Sequence, residues 1–234
     1  MIVAERFTFL HLHKSGGSFV NEFLLSFLPD ARRVGYHLPR ALTPATHMSL
    51  PALGFVRNPW SYYVSWYSFQ SQMPRPNALF KVLSQHGTLS FDSTLRRMLD
   101  LGVDAALLDE LIAALPPAYT NQGLNLPGPA LYPMRSSGVG FYTFLYRHMY
   151  GGTVGPLHVG RMEQVRTDLL AMLASVGQPL SDTARRYIVT REPSNVSRHA
   201  AYPEYYDRSL RALVEQRDAE LITRHGYRFG VGGG

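Results

Sequence analysis

Apolar and polar positions alternate along this chain with two different periods. The segment Arg6-Phe7-Thr8-Phe9-Leu10-His11-Leu12 is rich in β-branched and aromatic residues and runs into Lys14-Ser15-Gly16-Gly17-Ser18. That order predicts a strand feeding a small-residue loop. Beyond the loop, Phe19, Val20, Phe23, Leu24, Phe27 and Leu28 recur at helical spacing as far as Pro29, with Ser18 placed to cap the helix. The same order returns in Ala52-Leu53-Gly54-Phe55-Val56, the turn Arg57-Asn58-Pro59 and the aromatic run Trp60 to Phe69. Residues 74–130 carry helical patterns, among them Ala105 to Leu115 behind Asp104, interrupted by Pro116-Pro117 and Asn121-Gln122-Gly123. A third buried strand is expected at Leu157-His158-Val159-Gly160-Arg161. It leads to a helix with Val165, Leu169, Met172, Leu173 and Val176 on one face and Gly177 at its end. A last helix is expected from about Pro203 to His225.

Strands alternating with helices imply an α/β fold, a central parallel sheet flanked by helices, with ligands at the carboxyl ends of the strands. The 234 residues read as one domain, with a mainly helical insertion at about 74–155 and a loose tail at 230–234. With 45% hydrophobic and 17% charged residues the chain is folded rather than disordered. The apolar stretch Phe7 to Leu12 is too short for a secretory signal, and no run approaches the length of a membrane span. The absence of cysteine excludes disulfides, thiolate metal sites and a cysteine nucleophile, and suits a reducing, cytoplasmic setting.

The formal charge of +6 points to an anionic partner. Only two of the 23 cations are lysine, Lys14 and Lys81, so a lysine inside the first loop stands out. A small-residue loop between a strand and a helix N-terminus offers backbone N–H groups and the positive end of the helix dipole to an anion. In His13-Lys14-Ser15-Gly16-Gly17-Ser18 the lysine precedes the glycines, which is the wrong order for a Walker A loop. No strand-end Asp suited to Mg²⁺ is evident either, so no metal is expected. Arg57 at a strand end and Ser65 two turns into the next helix form a second candidate site, able to converge on one phosphate.

These residues resemble the sulfotransferases that use 3′-phosphoadenosine 5′-phosphosulfate (PAPS) and release PAP. His11-Leu12-His13-Lys14-Ser15-Gly16-Gly17-Ser18 is similar to their 5′-phosphosulfate loop. Phe55-Val56-Arg57-Asn58-Pro59-Trp60 with Ser65 is similar to their 3′-phosphate motif. Val159 to Glu163 resembles a later strand of the family, and Asn195 to Arg198, Tyr205 to Asp207 and Gly226 to Phe229 resemble the C-terminal segment of its carbohydrate-sulfotransferase-like branch. The resemblance implies a P-loop-like PAPS-binding fold and sulfuryl transfer to a hydroxyl of a small molecule, lipid or carbohydrate. It implies that His13, Lys14, Ser15, Gly16, Gly17, Ser18, Arg57, Ser65 and Arg198 hold the nucleotide. Ser61 and Tyr62 depart from the acidic residue and arginine common at those positions.

Lys14 is the expected neutraliser of charge on the leaving phosphate, and a histidine with a pKa near 7 the expected base. His37, in Gly35-Tyr36-His37, resembles the family's catalytic histidine. His47 is the second candidate, while His11, inside the strand pattern, reads as a packed residue. Two rival classes remain: a kinase using ATP and Mg²⁺, and a non-catalytic module holding sulfated glycans or nucleic acid. The preferred reading has no nucleic-acid partner.

Overall fold

The computed structural model describes residues 1–152, 155–192 and 199–230. The chain divides into two compact units, Met1–Arg57 with His148–Val196, and Asn58–Arg147 with Ser197–Gly234.

The first unit is built on a five-stranded sheet of β1 (Ile2–Val3), β2 (Thr8–Leu10), β3 (Arg32–Arg33), β4 (Ala52–Val56) and β5 (Leu157–Arg161), in the order β3-β1-β2-β4-β5. The centre is parallel as expected: Thr8, Ala52 and Leu157 lie level across β2, β4 and β5. The other edge differs from an all-parallel sheet, because β1 pairs antiparallel with both β2 and β3. A tight turn, with Ala4 N–H donating to the Phe7 carbonyl at 2.9 Å, returns β2 on β1, and so short a connection permits only the antiparallel arrangement.

α1 (Gly17–Phe27) follows β2 and begins at Gly17, with Gly16 rather than Ser18 at the cap. Phe7, Phe9, Leu53 and Phe55 of the sheet are buried in one core with Val20, Phe23 and Leu24 of α1 and residues of two later helices. On the opposite pleat Gly54 makes room for Tyr150, since a Cβ there would lie 2.4 Å from the tyrosine ring. The Tyr150 hydroxyl donates to the Phe55 carbonyl at 2.8 Å and accepts from the Phe55 N–H at 3.0 Å, fixing that end of β4.

The second unit is helical. It takes in α2 (Pro59–Ser71), α3 (Ala78–Leu83), α4 (Phe91–Asp100), α5 (Ala105–Ala114) and α6 (Phe141–Tyr150) up to Arg147. The first unit resumes within α6 and continues through α7 (Val165–Ser175) and α8 (Asp182–Thr190). Asp104 caps α5 by accepting from Leu107 N–H at 3.0 Å. Asn58 caps α2, accepting from Trp60 and Ser61, with Pro59 at the first helical position where its missing N–H costs nothing.

The expected final helix is instead three pieces: a 3-10 turn at Tyr202–Tyr205, α9 (Arg208–Arg217) and α10 (Ala219–His225). Asp207 opens α9 by accepting from Leu210 N–H. The second break falls at Asp218, whose carboxylate is fully buried. It accepts from the Tyr63 hydroxyl at 2.6 Å and from the Thr143 N–H and hydroxyl at 2.9 and 2.6 Å. Gly140 is required beside it, because a Cβ would sit 2.7 Å from Asp218 Oδ1. Among the described residues no helix is long and apolar enough to cross a membrane.

Candidate functional site

Sheet direction decides which loops meet. β2 and β4 end at Leu10 and Val56 on the same edge, so the loop His11–Gly16 and Arg57 emerge together. β3, antiparallel to β1, runs the same way as β2, with Arg33 and Phe9 both level with Ile2. The chain leaving β3 therefore reaches the same edge and delivers His37 there.

The loop turns into α1 through Gly16 at φ 78°, a left-handed conformation that favours glycine. No side chain caps the first turn of α1 and no acidic residue stands in it, whereas α8 in the same unit is capped by Ser181. Backbone N–H groups and the positive helix end are thus presented to an anion. A Cβ on Gly16 would meet Met162 at 3.2 Å, and one on Gly17 would lie 1.9 Å from the His11 ring. The loop has no room for larger residues at either position.

Lys14 and Arg57 converge on this loop. Arg57 is 8% exposed, and its Nη1 donates to the Lys14 carbonyl at 3.4 Å. Burial, together with the Arg57 charge, lowers the Lys14 pKa to about 8. Two cations held close at that cost are what an anion-binding site supplies in advance. Lys14 and His37 are also the only non-glycine residues in left-handed backbone among the described residues of the first unit, at φ 57° and 47°. Such strain gathers where side chains must be aimed.

His37 is 6% exposed and its Nδ1 donates to the His11 carbonyl at 2.7 Å. Its ring stacks on His13 at 3.6 Å between centroids and lies 4.3 Å from that of His11. Burial pushes its pKa down to about 4, against the opposing effect of the hydrogen bond to His11. The expectation of a pKa near 7 is corrected on that ground: His37 is neutral, with its Nε2 lone pair available. Ser15 is buried and donates to the His13 carbonyl at 3.2 Å, so it shapes the loop, while Ser18 is exposed on the first turn of α1.

No family model matches this sequence, and no curated protein matches it. Among solved structures it is similar to the mouse sulfotransferase SULT7A1 complexed with PAP. The identity is 13%, over 97% of this chain and 87% of that chain, with a TM-score of 0.49.

The structure does not bring His47 to the loop. It lines a hollow with Thr8 and Leu50, at the opposite edge of the sheet, where its Nδ1 bonds the Thr46 hydroxyl. Ser65 is buried on α2 in the second unit. Arg198 lies outside the described residues. What sequence reading missed is the pairing of His11 with Asn21, 2.9 Å apart. The available signal was a polar Asn on the otherwise apolar face Val20, Phe23 and Leu24 of the first helix.

Proposed function

We propose that this chain is a PAPS-dependent sulfotransferase acting on a hydroxyl acceptor, a small molecule, lipid or carbohydrate. The observation that carries the reading is the convergence of Lys14, Arg57 and His37 on the uncapped start of α1. The glycine-tight loop, the open N–H groups, the buried Arg57 and the half-buried Lys14 fit a phosphate-bearing nucleotide. When bound, PAPS supplies the sulfuryl group and the bisphosphate that leaves.

In this reading Lys14, Ser15, Gly16, Gly17, Ser18 and His13 form the 5′ side of the nucleotide site, and Arg57 belongs to the 3′-phosphate. Lys14 places a compact ammonium where negative charge builds on the leaving oxygen, the role of a preorganised electrostatic donor. His37 takes the acceptor's proton at Nε2, and the His11 carbonyl steadies the imidazolium as it forms through the Nδ1–H bond. An anion beside His37 raises its pKa from about 4 and so strengthens it as a base. The roles of Ser65 and Arg198 toward the nucleotide and a carbohydrate-type acceptor stay with the motif resemblance. The cytoplasmic setting is supported by the cysteine-free composition.

The test is transfer of label from PAPS to a panel of phenols, lipids and glycans. Wild-type protein is expected to label at least one class, with His37→Ala slowed by roughly 10² to 10⁴ on an unactivated alcohol. Absence of transfer to every class, or an undiminished His37→Ala, would contradict the reading.

A further inference from the structure

His37 accounts for one imidazole at the loop and leaves His11 without a role. His11 is 6% exposed, and Asn21, on the buried face of α1, holds its side-chain Nδ2 2.9 Å from His11 Nδ1. An amide NH₂ only donates, so His11 Nδ1 accepts and the single ring proton sits on Nε2. His37 is the reverse case. Its Nδ1 lies 2.7 Å from a backbone carbonyl, which only accepts, so the proton sits on Nδ1 and the lone pair on Nε2. Burial lowers the pKa of both rings, which keeps both neutral at pH 7.

Neither Nε2 has a hydrogen-bond partner among the described residues. The rings are 4.3 Å apart, and the Cδ2–Nε2 edge of His11 lies against the first residue of α1, since a Cβ on Gly17 would fall 2.3 Å from that Nε2. On two buried rings, an unpartnered donor thus stands near an unpartnered acceptor at the anion loop.

We propose that His11 is a second functional imidazole, held by Asn21 as the Nε2–H tautomer so that it donates a hydrogen bond next to the proton-accepting Nε2 of His37. Asn21 is its positioning residue. The chemistry matches the two oxygens such a site must tell apart. Sulfuryl oxygens only accept and suit His11, while an acceptor hydroxyl must lose a proton and suits His37. The role in transfer rests on the sulfotransferase reading; the pair of opposite tautomers does not.

The first measurement is long-range ¹H–¹⁵N correlation of histidine-labelled wild-type protein at pH 7.5. The expected result is His11 protonated on Nε2 and His37 on Nδ1; a proton on His11 Nδ1 overturns the proposal without any assay of activity. His11→Phe keeps the ring shape and the backbone carbonyl and removes the donor. It should lose about 10²-fold in turnover, the usual cost of one such donor, while PAP affinity measured by calorimetry stays within about threefold. Wild-type turnover in His11→Phe, or a parallel fall in PAP affinity, makes the residue a packing element and overturns the donor role. Should His11→Phe not fold, Asn21→Leu carries the kinetic arm: His11 should average between tautomers and turnover fall, whereas fixed Nε2–H shifts with unchanged turnover overturn the positioning role. If wild-type protein shows the opposite tautomers yet neither binds PAP nor turns over, it is the sulfotransferase reading that fails.

Discussion

The two units each bury a polar cluster, and the clusters are finished differently. In the second unit the Asp218 carboxylate accepts three hydrogen bonds at 2.6–2.9 Å from Tyr63 and Thr143 and is sealed by Gly140. In the first unit, His11 and His37 are almost as deeply buried, yet each leaves one ring nitrogen open, and Lys14 sits near Arg57 at the expense of its own charge. A satisfied buried network holds helices in register, whereas an open one is held ready for something that arrives. The sealed cluster should therefore report in stability and the open one in turnover.

The largest expected effect is on the open side. Lys14→Ala should slow transfer by on the order of 10² to 10³, about 3–4 kcal/mol in barrier, while PAP affinity changes far less. The measurement is kcat with labelled PAPS beside calorimetric PAP binding. The same position should carry a stability cost of the opposite sign. The Lys14 pKa of about 8 in the folded state lies below its ordinary value, so the charged form opposes folding at neutral pH. That penalty is relieved as pH rises from about 8 toward 10.5. Lys14→Met should accordingly raise Tm at pH 7, with the gain gone by about pH 10.5.

On the sealed side, Asp218→Ala strands the Tyr63 hydroxyl and the Thr143 N–H and should cost about 3 kcal/mol of stability, read from the urea midpoint. A loss below about 1 kcal/mol would show that the cluster is not the structural knot its hydrogen bonds suggest.

Sequence made some of this visible and hid the rest for definable reasons. The loop was legible because a lysine and two glycines between a strand and a helix are local chemistry, and Asp104 as a cap is likewise local. β1 and β3 were not, since two residues such as Ile2-Val3 or Arg32-Arg33 have no period to detect. Asp218 in an apparently continuous helix reads as solvent-facing until Tyr63 and Thr143 are brought to it. His47 shows the opposite failure. It precedes β4 and Arg57 follows it, and a five-residue strand spans roughly 16 Å, so closeness in sequence placed the two at opposite edges of the sheet.

Smaller effects sharpen the same contrast. PAP affinity should fall modestly as pH rises above about 8, by no more than it falls in Lys14→Ala, because the anion binds the protonated Lys14; calorimetry from pH 7 to 9.5 checks it. The kcat/KM for PAPS should show no histidine limb between pH 5.5 and 7.5, since His37 titrates near 4 in the free protein. His47→Ala should leave turnover within about twofold and stability within about 0.5 kcal/mol, and a larger loss of turnover would return it to the site.

The central claim is an anion cradle built from Lys14, Arg57 and the start of α1 that takes a nucleotide bisphosphate without metal. Titration of PAP into the metal-free protein by calorimetry, repeated with EDTA and against ATP with Mg²⁺, tests it directly. The account predicts micromolar or tighter binding of PAP, unchanged by EDTA and lost in Arg57→Ala. Binding abolished by EDTA, or ATP with Mg²⁺ bound more tightly than PAP, would contradict it.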